Sequence, residues 1–258
     1  MIAVLGSTGT IGRHVAAGLA EKGAPTRLLK RPSADLRDAA SLRAALDGAE
    51  QLFLVTAHGP DQDLHEANAI DAAVAAGVRR IVKISGGAPS LGPNGPTSTS
   101  VAHWRSERRI EDAGLRFCFL RPSFLMQNLD AMAPRAGVLL APMGNAPIAM
   151  VDARDVAACA VAALLDGGPD MAWQVTGPAA VTFKDIAHVL GARYVNVPPR
   201  LAAKALHRRG ASAFEVDHAV RMAAYFASGA DGAPTDAVRR LTGRPPRTVQ
   251  QFLTEKGS

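Results

Sequence analysis

Aromatic residues and cysteines are scarce in this chain of 258 residues, and long apolar runs are missing. Phe, Trp and Tyr make up 5% of the residues, whereas glycine and alanine are abundant and the apolar fraction reaches 48%. This composition favours an α/β enzyme of small, closely packed helices and strands over a β-sandwich. Because a chain of this length can bury one large core, we expect a single domain over residues 1–258.

The absences also bear on the cellular setting. No apolar run reaches the roughly 18 residues that cross a bilayer, so we expect no membrane partner. The opening MIAVLGSTG lacks a basic region and leads directly into a glycine turn, which predicts a cytoplasmic protein without a signal peptide. Cys118 and Cys159 lie in apolar surroundings, which predicts buried free thiols rather than a disulfide.

The charge distribution does not indicate a nucleic-acid partner. The net charge of +6 arises from Arg193 onward, where 11 Lys and Arg face 5 Asp and Glu. No helix-turn-helix, zinc-finger or aromatic RNA-binding signature accompanies it, so we interpret the excess as a solvated arginine surface. His58, His65 and Glu66 lack metal-binding spacing, and no nucleophile elbow is present, so we expect neither a metal site nor hydrolase chemistry.

Strand and helix patterns alternate regularly through the first half of the chain. The segments MIAVLG, PTRLLKR, QLFLVTA, RRIVKISG and RFCFLRPS are predicted strands, and a helical segment follows each of the first four. Continuously apolar strands indicate burial on both faces, and hence a parallel sheet. The sequence therefore predicts an α/β, doubly wound parallel sheet of the Rossmann type.

The second half is less regular. AWQVTG is a further predicted strand, and Asp152 opens a predicted helix over VDARDVAACAVAALLDGG. Four segments are predicted as helices outside the sheet: TFKDIAHVLG, the stretch near RYVNVP, PRLAAKALHRRG and SAFEVDHAVRMAAYFASG. Together they predict a small, mostly helical C-terminal lobe over roughly residues 124–150 and 180–258.

The segment GSTGTIG places Gly6, Gly9 and Gly12 between the first strand and the first helix. One glycine allows the tight turn, one lets backbone approach a pyrophosphate, and one lets the helix pack closely on the sheet. The helix N-terminus then directs free N–H groups at the phosphates. In this context the motif predicts a dinucleotide-binding turn.

The end of the second strand distinguishes the two nicotinamide cofactors. The strand ends in LLKR, so Lys30 and Arg31 stand where NAD-dependent enzymes carry an acidic side chain for the ribose hydroxyls. The first acidic residue after Arg31 is Asp35. Because a guanidinium suits a 2′-phosphate, the sequence predicts NADP(H).

With the glycine turn, LLKR, ADLRD, LFLVT and FLRPSFLMQNL in view, the chain resembles the atypical short-chain dehydrogenase/reductases, in particular the NmrA-like and type-2 quinone-reductase group. The resemblance covers nearly the whole chain, including AMVDARDVAACAVAALL and the closing LTGRPPRTVQQFL. The short form and the Ala- and Arg-rich usage also resemble actinomycete ketoreductases that tailor aromatic polyketides of the angucyclinone (simocyclinone) type.

The resemblance, and not the spacing, implies most of the individual site residues. From the pyrophosphate through adenosine to the nicotinamide, the implied cofactor residues are Thr8, Gly9, Thr10, Ile11, Arg31, Asp35, Leu36, Val55, Thr56, Ala57, Pro122, Ser123 and Phe124. The residues implied to face the substrate are Met126, Gln127 and Asn128.

Two departures from the family pattern affect fold and chemistry. Only Pro32, Ser33 and Ala34 separate Arg31 from Asp35, so one βα crossover is shortened and we expect the sheet to lose an edge strand there. In ordinary members a Tyr-x-x-x-Lys pair and a serine assist hydride transfer. Here HWRSE places His103 and Glu107 at the pair, Gly87 stands at the serine position, and Ser85 and Ser90 are the neighbouring hydroxyls.

Three interpretations of that missing triad stay open. The protein reduces a ketone or quinone with positioning as its main contribution, and the substrate's own acidic hydroxyl supplies the proton. Alternatively His103 is the acid, with Glu107 one turn along favouring its imidazolium form. In the third, the protein is a catalytically inactive, NADP(H)-binding regulator. The first predicts that His103 is dispensable: His103→Phe changes kcat within about fivefold, against the 10²–10⁴-fold of general acid catalysis.

The segments SFLMQNL and VRMAAYF offer Met, Phe and Tyr surfaces with few charges. Because Met side chains adapt to large ring systems, we expect a flat, apolar aromatic carbonyl compound as the small-molecule partner. The sequence leaves the exact substrate and the oligomeric state open.

Overall fold

A central parallel sheet organises the computed structural model, which describes residues 1–256. The strands are, in chain order, β1 (Ile2–Leu5), β2 (Thr26–Leu29), β3 (Gln51–Leu54), β4 (Arg80–Ile84), β5 (Arg116–Pro122), β6 (Val138–Ala141), β7 (Met171–Val175) and β8 (Arg193–Asn196). The α-helices are α1 (Gly12–Glu21), α2 (Ala39–Leu46), α3 (Gln62–Ala75), α4 (Ser98–Asp112), α5 (Ala153–Asp166), α6 (Phe183–Val189), α7 (Pro199–Arg208), α8 (Ala213–Ala227), α9 (Ala237–Thr242) and α10 (Val249–Lys256).

The large sheet has the strand order β2-β1-β3-β4-β5-β7, with every neighbouring pair parallel. β1 and β4 are buried along their whole length, as continuously apolar strands predict. One face packs against α1 and α5, and the other against α2, α3 and α4. The predicted doubly wound α/β fold is therefore confirmed. Since the strands are parallel, their carboxyl ends all meet at one edge.

β2 forms an edge of this sheet. After Leu29 the chain runs through a loop directly into α2, whose N-cap Asp38 accepts hydrogen bonds from the N–H groups of Ala40 and Ser41. No strand forms between residues 30 and 38. The shortened crossover and the resulting loss of an outer strand are thus as predicted.

The expectation of a helix near RYVNVP was wrong. Residues Arg193–Asn196 form β8, which pairs in parallel with β6 in a separate two-stranded sheet. Tyr194 and Val195 favour a strand, and the prolines at 198 and 199 stop any helix from beginning earlier. The Tyr194 hydroxyl donates to the carbonyl oxygens of Ala141 and Gly144, which ties β8 to the end of β6.

The other predicted elements form where expected. Asp152 caps α5 by accepting the Arg154 N–H, and Gly167 ends that helix in the left-handed region at φ 65°. Cys118 and Cys159 are both buried and free. Besides the cores on the two faces of the sheet, a third hydrophobic core contains Phe124, Phe183, Phe226 and Phe252. Within residues 1–256 no helix is both long and apolar enough to span a bilayer.

Candidate active site at the carboxyl edge of the sheet

The glycine turn lies at the carboxyl end of β1. Gly6 has φ +81°, and a Cβ there would lie 2.4 Å from the carbonyl oxygen of Val55. A Cβ on Gly12 would lie 2.1 Å from the carbonyl oxygen of Gly6. Gly9 is exposed, and its N–H donates to the Gly6 carbonyl at 3.0 Å. The turn therefore requires glycine at Gly6 and Gly12 for close backbone approach, and leaves Gly9 facing outward.

The N-terminus of α1 has unused hydrogen-bond donors. Ile11 precedes the helix without a side-chain cap, and the first turn contains no acidic residue. Ser7 is buried, and its Oγ has no hydrogen-bond partner among residues 1–256. Thr8 and Thr10 are exposed beside it. Free N–H and hydroxyl donors at a helix N-terminus fit a pyrophosphate, so these residues fit a dinucleotide.

The end of β2 fits the adenosine portion. Lys30 and Arg31 are exposed there, with no carboxylate at the strand end. The following loop is fixed in place, because Asp35 accepts the N–H of Arg37 at 3.0 Å and the Leu36 carbonyl accepts the Asn68 amide at 2.9 Å. An exposed cationic pair beside an anchored loop fits a phosphorylated ribose and its adenine.

At the end of β3, Val55 packs against Gly6, and Ala57 is exposed. The Thr56 hydroxyl donates to Glu66 Oε1 at 2.8 Å. Glu66 lies on α3 and is fully buried. The segment implied to line the adenosine ribose is thus joined to a buried carboxylate that the sequence analysis did not single out as a site residue.

His103 and Glu107 are buried on α4, with 6% and 1% of their surfaces exposed. The Glu107 carboxylate accepts hydrogen bonds from both Nε and a terminal nitrogen of Arg121 on β5. Because Arg121 occupies it, Glu107 does not hold His103 as imidazolium. The sequence pattern does not reveal this pair, since Arg121 is 14 residues away on a different element.

A buried lysine takes the place beside His103. Lys83 lies on β4, fully buried, and its Nζ donates to three acceptors. These are His103 Nδ1 at 2.9 Å, the Ile84 carbonyl oxygen at 3.0 Å and Glu66 Oε1 at 3.0 Å. An ammonium has three hydrogens, so all of its donors are used. Lys83 therefore cannot reach out to hold a ribose, as the lysine of the usual pair does.

Further polar groups complete the buried network around Glu66. Ser106 donates its hydroxyl to Glu66 Oε2, and the Gln62 amide lies 3.3 Å from Oε1. Burial alone would raise the pKa of Glu66, but the Lys83 charge and then His103 hold it well below its ordinary value. Glu66 is thus the carboxylate that balances the buried lysine.

The same surroundings keep His103 neutral. Burial first, and the positive charge of Lys83 second, lower the pKa of His103 below its ordinary value. With Lys83 as the donor to Nδ1, the proton of the neutral ring is assigned to Nε2, which lies 3.2 Å from the side-chain amide of Gln62. Passing on that proton would leave an imidazolate, so His103 is poorly suited to general acid catalysis.

The two candidate serines differ. Ser85 follows β4; it is buried, and its Oγ has no partner within residues 1–256. Ser90 donates its hydroxyl to the Gly87 carbonyl at 2.7 Å, so it stabilises the loop after β4. At Gly87 a Cβ would lie 3.6 Å from Asp231 Oδ1. A carboxylate from the C-terminal half therefore occupies the space near the usual serine position.

That carboxylate also binds the segment after β5. The Ser123 hydroxyl donates to Asp231 Oδ2, and the Gln174 amide donates to Oδ1 at 3.2 Å. Pro122 is half-buried at the strand end, whereas Phe124 turns away into the third core against Phe183 and Phe226. Pro122, Ser123 and Phe124 are the residues implied to flank the nicotinamide. Of these, Phe124 has its side chain in the third core.

The residues implied to face the substrate are placed differently from expectation. Met126 is fully buried in the third core. Gln127 donates to Asp152 Oδ1 at 3.0 Å and accepts the Ala153 N–H at 2.9 Å, so it fixes the start of α5. Only Asn128 is exposed. The short 3₁₀ helix over Met126–Met132 turns the first two side chains inward, which the sequence pattern did not reveal.

Lys83 was detectable in principle from sequence. A lysine at the fourth position of the strand RIVKI sits on a surface that a parallel sheet buries on both faces. Because buried lysines almost always have a charged partner, a lysine in such a strand predicts an acidic side chain packed against it. Among the described residues no group of three or more His, Cys, Asp and Glu side chains is arranged to hold a metal ion.

Comparison with solved structures shows the same fold over the whole chain. The NADPH-dependent quinone oxidoreductase of Escherichia coli, solved with NADPH, aligns with a TM-score of 0.88 at 24% identity, covering 100% of both chains. The triphenylmethane reductase of Citrobacter sp., solved with NADP(H), aligns with a TM-score of 0.81 at 18% identity, covering 98% of this chain and 99% of the other. At these identities the similarity establishes the fold.

Two curated relatives are more similar in sequence. An NAD(P)H azoreductase from Xenophilus azovorans is 33% identical, covering 98% of this chain and 96% of the relative. A (4-alkanoyl-5-oxo-2,5-dihydrofuran-3-yl)methyl phosphate reductase from Streptomyces griseus is 35% identical, covering 99% and 97%. The model of the NmrA-like family matches residues 1–191. With the glycine turn, the sheet order and these matches in agreement, the chain belongs to the NmrA-like family.

Proposed function

We propose that the protein is an NADPH-dependent reductase that transfers hydride to a ketone or quinone of a flat, apolar aromatic compound. The observation that carries the proposal is the glycine turn, where the unpartnered Ser7 hydroxyl and the uncapped N-terminus of α1 provide donors for a pyrophosphate. The Xenophilus and Streptomyces relatives are both named as reductases, and the former as using NAD(P)H. Both similarities extend over nearly the whole chain.

The chain's own residues would hold the cofactor along the carboxyl edge. Gly6, Gly9 and Gly12 with the α1 N-terminus would bind the pyrophosphate, Arg31 the 2′-phosphate, and the segment after β5 would flank the nicotinamide. Reduced nicotinamide supplies a hydride when it is bound there. Arg31 is exposed and has no acidic neighbour at the strand end, which favours NADPH over NADH.

Hydride addition to a carbonyl carbon leaves negative charge on its oxygen, which then needs a proton. The neutral His103 and the fully engaged Lys83 do not provide one readily. A phenol beside the carbonyl would deliver its proton to the oxygen within the substrate itself.

This chemistry favours hydroxylated aromatic ketones and quinones, among them polyketides of the angucyclinone type. Positioning hydride donor and acceptor as neighbours can supply about 7–11 kcal/mol of the barrier in ideal cases. A substrate that carries its own acid therefore does not require the Tyr-x-x-x-Lys pair. Small charged metabolites lack both the flat ring surface and the internal acid.

The test is an NADPH oxidation assay with a panel of quinones and hydroxylated aromatic ketones, beside small charged carbonyl compounds, with NADPH binding measured in parallel. We expect turnover of the aromatic compounds. Gly12→Ala should abolish NADPH binding, because its Cβ would meet the Gly6 carbonyl, whereas Gly168→Ala, where nothing lies within 4 Å, is the matched control. NADPH binding without turnover of any compound would support a regulatory protein instead, and turnover restricted to charged metabolites would contradict the substrate class.

A further inference from the structure

Two polar atoms on α8 are buried without a hydrogen-bond partner in the described part of the chain. They are Nδ1 of His218 and the hydroxyl oxygen of Tyr225. Buried donors and acceptors are nearly always paired, because an unpaired one costs free energy on folding. Two on one face of a helix call for an explanation.

The first of these atoms lies beside the buried network of the candidate active site. The His218 ring is 5.1 Å from the ring of His58, which belongs to the loop after β3. His58 in turn lies 6.2 Å from the ring of His103. Phe214, one turn earlier on α8, is nearly parallel to His218, with ring centroids 6.1 Å apart. The N-terminal half of α8 thus places aromatic rings beside the loop after β3 and, through His58, near His103.

The second atom lies towards the end of β5. Phe226, the next residue on α8, contacts Phe124, two residues after β5, with ring centroids 5.2 Å apart, and the Tyr225 ring lies 5.2 Å from that of Phe226. Burial and then the charge of Asp231 raise the pKa of Tyr225. Asp231 binds Ser123, the residue directly after β5. The helix therefore runs from the His103 side of the carboxyl edge to the Ser123 side, across the place proposed for hydride transfer.

The spacing of the two atoms restricts what could bind between them. Residues 218 and 225 are seven apart, or nearly two turns, so they share one face of α8 and are separated by about 10 Å along its axis. Met222, partly buried, lies between them on that face. The charged residues Asp217 and Arg221 pair with each other on the exposed face. The inner face is thus apolar and aromatic, with one polar atom near each end.

We propose that α8 is the substrate-recognition helix, and that His218 and the Tyr225 hydroxyl hydrogen-bond to oxygen substituents at opposite ends of a fused, multi-ring aromatic substrate. The inference rests on the proposed function and adds to it the residues that select the substrate. Met126 and Gln127, which are buried or engaged elsewhere, do not compete for this role. The unpartnered atoms of the free protein then gain their partners when substrate binds.

Tyr225→Phe and His218→Phe test this, with Tyr194→Phe as the matched control because the Tyr194 hydroxyl is bonded to Ala141 and Gly144 away from α8. The probes are a dihydroxyanthraquinone and unsubstituted anthraquinone. For the hydroxylated probe we expect KM to rise roughly 2- to 10-fold per lost hydrogen bond, with kcat and NADPH affinity unchanged. For the unsubstituted probe we expect little change.

The melting temperature distinguishes a role in substrate recognition from a structural role. Removing an unpartnered buried hydroxyl should leave the melting temperature of Tyr225→Phe equal to or above that of the parent protein, whereas Tyr194→Phe should lower it. A lower melting temperature for Tyr225→Phe, or equal KM changes for both probes, would overturn the proposal.

A binding measurement distinguishes failure of this proposal from failure of the proposed function. If the parent protein turns over neither probe, equilibrium binding of the dihydroxyanthraquinone to the NADPH-loaded protein replaces KM. Weaker binding by the two α8 variants then still supports recognition by α8, and unchanged binding rejects it. Failure of the parent protein to bind NADPH at all would reject the proposed function alone.

Discussion

Lys83 Nζ donates to His103 Nδ1 across 2.9 Å, which joins β4 to the helix that carries the catalytic pair in ordinary relatives. The cation beside position 103 therefore comes from the sheet and not from the next turn of the helix. Both side chains are buried, and Glu66 balances the charge. Position 103 therefore lies beside a buried, balanced ion pair, and its imidazole replaces the phenol that donates a proton in the Tyr-x-x-x-Lys pair.

Lys83→Met should destabilise the protein strongly. It leaves the buried Glu66 carboxylate without its cation, and breaking one partner of a buried pair typically costs about 3–5 kcal/mol. Urea unfolding would measure the loss. The double variant Lys83→Met with Glu66→Gln should recover part of it, because the uncompensated charge is then gone.

Arg105→Met is the matched control for that experiment. Arg105 pairs with Asp63 at 2.7 Å, but both side chains are largely exposed, so its loss should cost no more than about 1 kcal/mol. If Lys83→Met and Arg105→Met lose the same free energy of unfolding, the Lys83 pair contributes no more than a surface ion pair.

The sequence predicted the parts of the structure that depend on local pattern. Strand burial, the glycine turn, the Asp152 cap and the shortened crossover after Arg31 each follow from neighbouring residues. What it did not predict depends on residues distant along the chain. Arg121 neutralises Glu107, and Lys83 binds His103, only because β4, β5 and α4 pack together.

The substrate-facing residues illustrate a second limit. The segment SFLMQNL is apolar in sequence, which suits a ligand surface and a hydrophobic core equally well. In the fold Met126 enters the core, whereas His218 and Tyr225, on a helix remote in sequence, each keep a buried polar atom without a partner within residues 1–256. Apolar composition alone cannot separate these two cases, because both bury the same kind of surface.

Arg31→Ala should remove much of the preference for NADPH over NADH. A charge-assisted hydrogen bond to the 2′-phosphate is worth roughly 1.5–3 kcal/mol, so NADPH affinity should fall about 10- to 150-fold while NADH affinity changes little. Coenzyme fluorescence titration measures both. Arg27→Ala removes the same kind of charge from β2, four residues earlier, but its guanidinium is bound to the carbonyls of Ala45 and Asp47, so it should not alter the preference. Equal binding of both coenzymes by the parent protein would contradict the assignment.

The stability of the protein should fall as the pH drops below about 6.5, the ordinary pKa of histidine. The folded-state pKa of His103 is lowered, so the unfolded chain takes up a proton that the folded protein refuses. The free energy of unfolding that the neutral His103 contributes is therefore complete above about pH 6.5. It is lost as the pH falls from there through the lowered pKa of the folded state, at up to about 1.4 kcal/mol per pH unit. His218 acts in the same direction.

Melting temperatures recorded between pH 7 and pH 5 would measure this effect. His103→Gln should flatten the decline, since glutamine does not titrate, whereas the exposed His207→Gln should leave it unchanged. An identical decline in the parent protein and His103→Gln would show that His103 takes up its proton as readily when folded as when unfolded.

The last prediction is that His103 is dispensable to the chemical step. The ring is neutral, buried and held by Lys83, so the proton for the substrate oxygen should come from the substrate or water. His103→Phe alone is a poor test, because it strips Lys83 of an acceptor, whereas the amide oxygen of His103→Gln can still accept that hydrogen bond. With a hydroxylated aromatic substrate and saturating NADPH, kcat of His103→Gln should change within about fivefold, against the 10²–10⁴-fold that general acid catalysis typically contributes. A loss in that larger range, with melting temperature at pH 7.5 and NADPH affinity intact, would assign the proton transfer to His103. A methyl ether of the substrate's phenol provides the complementary test, since it should slow the reaction of both proteins alike if the substrate supplies its own proton.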